Sequence, residues 1–270
     1  MSQTTADAVP LPEELVRVVA LDGPAGSGKS SVSRAVAKEL GWRFVDTGAT
    51  YRAVTLAVLR QDVDVADVAT VAEVAASAQV ELGPDPDRPL VLLDGEDVTA
   101  EIRSAEVTAA VSAVSAVPAV REVLIRLQRS LMGRDGAVVE GRDIATVVAP
   151  RAAVKVYLDA RPEVRARRRA AEEVTLPGSP AEAPGVHELV QQALLARDAR
   201  DTKTNPLKPS EGAVHLETSE LTFPEVVAEV VALVRDAGLL DEPAERRLLS
   251  AGAQEPSSDP MTGHTHEETR

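Results

Sequence analysis

The sequence predicts an α/β fold, a doubly wound five-stranded parallel sheet with helices on both faces. Three observations carry this. Short β-branched runs recur along the chain with helical segments between them. These runs are apolar on both faces, as strands covered on both sides must be. The first of them stops at a glycine-rich turn that opens a helix, and crossover helices of this kind make neighbouring strands parallel.

Residues 17–22 (RVVALD) are the first strand, and SSVSRAVAKELG (30–41) follows with apolar residues at helical spacing and Gly41 as its stop. RFVD (43–46) is the second strand, with a helix from about Thr50 to Gln61 after it. GAVVEG (136–141), AVKVYLD (153–159) and AVHLE (213–217) complete five buried strands. Thr222 with Glu225 three residues on forms a capping box for a helix running to Asp236 and closed by Gly238. One stretch interrupts the alternation. QVEL (79–82), a turn rich in proline and aspartate (83–88), and PLVLLDGEDVT (89–99) read as a β-hairpin plus a short strand, within a β-containing insert from about 63 to 118. A long helix over 119–132 returns the chain to the sheet, and the Pro- and Gly-rich stretch 172–188 reads as a mobile surface loop.

The 270 residues include no cysteine, which excludes a disulfide scaffold, a thiolate metal site and a thiol nucleophile. The formal net charge is −14, which argues against a general nucleic-acid coat or a partner on an anionic membrane. Much of that charge is peripheral. Asp7, Glu13 and Glu14 lie in a loose leader (1–15), and the tail 241–270 holds seven acids against three arginines. Too poor in large apolar groups to offset ordering, the tail is expected to be disordered, with His264 and His266 making a poor metal site. The folded body is then 16–240. No apolar run approaches a membrane span and no signal peptide opens the chain, so a cytoplasmic protein is expected.

The chemistry begins at GPAGSGKSS (23–31), a GxxxxGK pattern plus serine between a strand and a helix: the P-loop. Its residues, Gly23, Pro24, Ala25, Gly26, Ser27, Gly28, Lys29, Ser30 and Ser31, are expected to cradle the phosphates of ATP. Backbone N–H groups and the helix N-terminus face the anion, Lys29 reaches the β and γ phosphates, and the Ser30 hydroxyl meets Mg²⁺. The chain has no NKxD for reading guanine and no LSGGQ-like signature. It has arginines at the ends of elements instead: Arg52 after the second strand, Arg142 beside Asp143 after the third, five arginines in RPEVRARRR (161–169), and Arg197 and Arg200 beside Asp201. A single cluster of this sort is usually a solvated helix face, but several at strand ends of a P-loop core suggest a second anion site, since arginine suits bidentate phosphate capture.

In this order GPAGSGKSS (23–31), DTGATYRAVTL (46–56), LLDGEDVTAEIRSAEV (92–107), EGRDIATVV (140–148), VKVYLDA (154–160) with RARRRA (165–170), and RDARD (197–201) resemble the bacterial cytidylate kinases, from about Val16 to Gly238. LDGEDVTAEIR (93–103) is the most discriminating piece, because related nucleoside monophosphate kinases lack that insert. The resemblance implies that the insert binds the monophosphate and the loop at about 170–188 is a lid. It implies an ATP-dependent, Mg²⁺-dependent phosphorylation of CMP and dCMP to CDP and dCDP by a monomeric enzyme. It also implies roles. Thr47, where the family usually has Ser, contacts the cytosine; Arg52 and Arg142 hold the CMP phosphate; Asp143 and Arg121 read the cytosine edge; Ser112, Arg197 and Asp201 contact the sugar. Lys29, Arg142, Arg165, Arg168 and Arg169 form the catalytic clamp on the transferring phosphoryl group.

Two departures stand out. The family commonly carries a further arginine in a stretch like DSxRxxSPL; this chain has DTKTNPL (201–207), with Thr204 at the nearest position and Lys203 or Lys208 as possible substitutes. Ala145 replaces a frequent glycine after GRDI. Asp143 has a plainer reading, a carboxylate that orients Arg142. His187, in the loop, and His215, in a buried strand, are read as structural, because an acceptor that is already a phosphate needs no base. The competing functions are another small-molecule kinase on the same core, which the insert speaks against, and a nucleotide-dependent switch or assembly ATPase that hydrolyses slowly and has no acceptor.

Overall fold

The computed structural model describes residues 17–133, 135–174, 186–204 and 208–240. Within it, β1 (Val18–Asp22), β2 (Arg43–Asp46), β6 (Ala137–Glu140), β7 (Val154–Asp159) and β8 (Val214–Glu217) form a parallel sheet in the order β2-β6-β1-β7-β8. This is the doubly wound sheet that the strand pattern predicts. Alternate residues of the central strand show why it needs cover on both sides. Val19 and Leu21 pack with Val32, Val36 and Leu40 of α1 (Lys29–Leu40) and with Val227, Val230 and Val234 of α8 (Phe223–Asp236). Val18 and Ala20 point the other way, toward Val45, Met132, Ile144 and Val148.

The helix ends follow local chemistry. Gly41, in a left-handed conformation at φ 68°, terminates α1. The Glu225 carboxylate accepts from the Thr222 N–H and hydroxyl at 2.7 Å each, capping α8. The second helix, α2 (Thr47–Arg60), begins three residues before the expected Thr50, because Asp46 caps it by accepting from the Ala49 N–H at 2.9 Å. Thr47 is therefore the first helical residue.

Between α2 and β6 lie α3 (Val68–Ser77), the antiparallel strands β3 (Val80–Leu82), β4 (Val91–Leu93) and β5 (Glu96–Asp97), a 3₁₀ turn (Glu101–Arg103), α4 (Ala105–Ser115) and α5 (Pro118–Leu131). The three strands form their own small sheet. Val74, Val80, Val91, Leu93, Ile102 and Val114 share one apolar cluster with Val54, Leu56 and Val58 of α2 and Leu124 of α5. That cluster fixes the position of this segment over the carboxyl edge of β2.

Two expectations are corrected. The fifth strand is not buried: β8 pairs only with β7, at the edge of the sheet, and Val214 is 42% exposed. His215 is accordingly exposed, 3.6 Å from Asp159 and edge-on to the Tyr157 ring. The stretch read as a loop at 172–188 is helical at both ends, in α6 (Pro162–Val174) and α7 (Val186–Thr204), so His187 lies on a helix. Residues 175–185, the leader and the tail with His264 and His266 lie outside the described residues. No single helix among the described residues is long and apolar enough to cross a membrane, and no group of three or more His, Asp or Glu is placed there to hold a metal ion.

Candidate active site

The carboxyl ends of β1, β2 and β6 open into a cavity of 550 Å³, covered by α4 on one side and by α6 and α7 on the other. This is the crevice where ligands bind in open α/β sheets. The P-loop forms its floor. Gly23 is required there by space: a Cβ at its position would lie 2.0 Å from the Leu158 carbonyl oxygen. Gly28, at φ 93°, turns the chain directly into α1, whose first residues Lys29, Ser30 and Ser31 line the cavity with Ala25, Gly26 and Gly28. The N–H groups of that first turn have no intrahelical partners and favour an anion. Lys29, only 8% exposed, donates from Nζ to the Pro24 carbonyl at 2.7 Å. Gly23, Pro24 and Ser27 lie behind the lining residues.

The second group of side chains faces the loop across the cavity. Thr47 donates its hydroxyl to the Glu140 carbonyl at 2.6 Å. Arg52 is held by Ile102 and Thr108, its Nη1 donating at 3.2 and 2.9 Å. Arg121 from α5 pairs with Asp143, and both line the cavity beside Tyr51. Burial opposes the charge on Arg121, but Asp143 and Tyr51 outweigh it and the pKa rises; burial likewise pushes the Tyr51 phenol up to about 12. Arg142 bonds Asp201 at 3.0 Å and the Gly23 carbonyl at 2.8 Å, so it bridges the two halves of the site. Ser112 reaches Asp201 at 3.4 Å.

The arginines of α6 divide. Only Arg169 lines the cavity. Arg165, expected in the catalytic clamp, is 7% exposed and fully engaged beneath the P-loop, donating to the Ala160 and Ala25 carbonyls at 3.1 and 3.0 Å and to Asp198 at 2.5 Å. Arg168 is held by the Ser27 and Thr218 carbonyls at 3.1 and 2.7 Å and by the Thr218 hydroxyl. Both therefore brace the loop from outside and do not face the cavity. Arg168 and Arg169, adjacent in sequence, point to different faces of α6, whereas Arg165 shares a face with Arg169 but stands one turn earlier, where it meets the underside of the P-loop. Arg197 lies on α7, but its side chain is outside the described residues, as is that of Lys203; Lys208 is exposed and away from the cavity lining.

Several functional groups escaped sequence reasoning. Asp198 accepts from the Ala25 N–H at 3.2 Å and pairs with Arg165, which donates to the Ala25 carbonyl, so one P-loop residue is gripped at both its N–H and its carbonyl. Its signal was its place three residues before Asp201, on one helix face. Glu140, at the end of β6, is buried beside Lys29 and Ser30, and its Oε1 has no hydrogen-bond partner among the described residues. Burial and the neighbouring Asp46 charge raise its pKa, and Lys29 pulls against them. Arg34, Arg103 and Arg200 also line the cavity, so six or more guanidinium groups surround a pocket in a strongly acidic chain. The local field favours phosphates even though the net charge does not.

The comparisons with known proteins agree with this geometry. The family model for cytidylate kinase matches residues 19–236. The cytidylate kinase of Streptomyces avermitilis is 47% identical over 223 residues, covering 81% of this chain and 93% of that protein. Those of Rhodococcus jostii and Mycobacterium leprae are 48% and 49% identical, each covering 81% of this chain and 95% of the relative. A P-loop, a second basic site facing it across one cavity, and a family match that spans the whole folded body lead to one conclusion: the chain belongs to the cytidylate kinase family.

Proposed function

We propose that this enzyme transfers the γ-phosphoryl group of ATP to CMP and dCMP, yielding ADP with CDP or dCDP. The observation that carries the reading is a single cavity with a triphosphate cradle on one wall and, on the other, the Arg121–Asp143 pair flanked by Arg52 and Arg142. A carboxylate and a guanidinium side by side offer an acceptor and donors in one plane. Asp143 takes the exocyclic amine of cytosine and Arg121 donates to the ring acceptors, whereas uracil presents a carbonyl where Asp143 needs a donor. Arg52 and Arg142 then bind the monophosphate, Thr47 meets the base with its remaining lone pairs, and Ser112 and Asp201 take the sugar hydroxyls, with Arg197 joining them.

The acceptor oxygen is already anionic, so the step needs alignment and charge neutralisation rather than a base. An oxygen of the CMP phosphate forms the new bond to the γ-phosphorus as the bond to the bridging oxygen of ADP breaks, and that oxygen leaves with the electron pair. Lys29 turns from the Pro24 carbonyl to the β and γ phosphates. Arg142 and Arg169 gather on the transferring group, and Arg165, Arg168 and Asp198 keep the loop rigid beneath it. The residues fit Mg²⁺: the Ser30 hydroxyl and the orphaned Glu140 oxygen are oxygen donors at the P-loop, and oxygen donors are what this cation takes. When bound, Mg²⁺ neutralises charge on the β and γ phosphates.

Coupled assays of ADP release with CMP, dCMP, UMP, AMP and GMP test the reading. CMP and dCMP are expected to be the preferred acceptors. Preference for AMP or GMP, or ATP hydrolysis with no acceptor, would refute it.

A further inference from the structure

β1 ends in a carboxylate that the reaction described above does not use. Asp22 immediately precedes the P-loop and is 6% exposed. Both of its oxygens are spent on one target: Oδ1 accepts from the Ile144 N–H and Oδ2 from the Ala145 N–H, each at 2.8 Å. Those two groups open a π-helical turn (Ile144–Val148) whose own preceding residue, Asp143, caps nothing. First-turn N–H groups need an acceptor. Here it comes from a strand more than a hundred residues away, at a cost, since burial pushes the Asp22 carboxyl up and the two N–H bonds only partly pull it back.

The neighbouring contacts repeat the grip. The Gly141 N–H donates to the Leu21 carbonyl at 3.0 Å, and Arg142 donates to the Gly23 carbonyl at 2.8 Å. Three consecutive residues, Leu21 to Gly23, thus hold Gly141 to Ala145 at four points. Between the anchors stand Arg142 and Asp143, whose side chains line the cavity. The Asp143 carbonyl in turn accepts from the Val147 and Val148 N–H groups at 2.8 and 3.2 Å, closing the turn.

We propose that Asp22 is a positioning residue for the acceptor nucleotide: through the Ile144 and Ala145 amides it fixes the backbone that aims Asp143 and Arg142, and it joins the base-reading segment rigidly to the P-loop. This rests on the assignment of Asp143 to the acceptor base. Asp22 itself touches no nucleotide. Its effect is on where Asp143 stands, so its loss falls on CMP more than on ATP.

Asp22→Asn preserves size and one acceptor but turns an amide donor toward an N–H donor. The KM for CMP should rise about tenfold, the scale of a lost hydrogen bond to a buried charge, while the KM for ATP changes less than about twofold. Combined with Asp143→Ala, it should weaken CMP by less than the sum of the two single losses, because residues acting through one another are not additive. Equal loss toward both substrates, or additive losses in the double variant, overturns the proposal. If Asp143→Ala by itself spares CMP, the assignment of Asp143 fails and takes this proposal with it; an effect of Asp143→Ala with none of Asp22→Asn overturns this proposal alone. Hydrogen exchange on the unmodified enzyme needs no variant. The Ile144 and Ala145 amides should exchange as slowly as those of the sheet, and exchange at the rate of an open turn refutes the grip.

Discussion

Replacing Glu140 by glutamine should make the nucleotide-free protein more stable and the enzyme worse. Glu140 sits buried between Asp46 and the P-loop, and its pKa is raised from 4.5 to about 7, burial being the main cause and the Asp46 charge the second. A carboxyl whose folded pKa lies above its unfolded value stabilises fully below the unfolded value and loses that contribution as pH rises through the folded one. Wild-type folding therefore bears the cost of an ill-solvated charge at pH 8, on the order of 3 kcal/mol at 1.36 kcal/mol per pKa unit. Glutamine removes the charge and with it the pH dependence. In thermal melts without nucleotide, Glu140→Gln should match wild type near pH 4.5 and exceed it increasingly toward pH 8, by up to about 10 °C for a domain of this size. Turnover should fall about tenfold or more, as when a partner of a bound cation is lost. A difference in Tm that stays constant from pH 5 to pH 8 would refute the reasoning, because it would show that the carboxylate is not desolvated.

The remaining predictions separate support from chemistry. Lys29→Met should lower kcat by about 10²–10³, the scale for losing one transition-state donor, with CMP affinity by calorimetry unchanged. Arg165→Met should cost about 3 kcal/mol of stability in chemical denaturation, because it breaks a buried ion pair and leaves Asp198 with only the Ala25 N–H and Arg142 at 3.8 Å. Arg169→Met should lower kcat while shifting the denaturation midpoint less than Arg165→Met does. Gly23→Ala should abolish ATP binding in equilibrium titration, since its Cβ cannot share space with the Leu158 carbonyl.

Four of the parallel strands were legible because they are short, apolar and buried on both faces, and the P-loop because glycine, lysine and serine at fixed spacing have a mechanical reason to stand there. β8 was misjudged on the same grounds. AVHLE reads as apolar, but pairing on one side only leaves it exposed, and strand order is set by tertiary packing, not by the run itself. The early start of α2 was missed because its signal is one capping side chain, Asp46, within a strand-like sequence. The division of the four arginines of RARRRA into two that brace the loop, Arg169 facing the cavity and an exposed Arg167 needed the helix orientation, which composition does not reveal. Asp22 and Glu140 were illegible, and Asp198 was marked only by its spacing from Asp201, for a related reason. Asp22 reaches Ile144, 122 residues away, and Asp198 reaches Ala25, 173 residues away, and the local sequence does not mark such distant partners.

The central claim is that one cavity holds donor and acceptor together and passes the phosphoryl group directly between them. A cytidine and an adenosine joined by five phosphates spans both halves of such a site, so inhibition by this compound tests the claim most directly. It should be competitive against both ATP and CMP, and should bind with one molecule per chain in calorimetry. Inhibition competitive against ATP alone, or two independent molecules bound per chain, would contradict it.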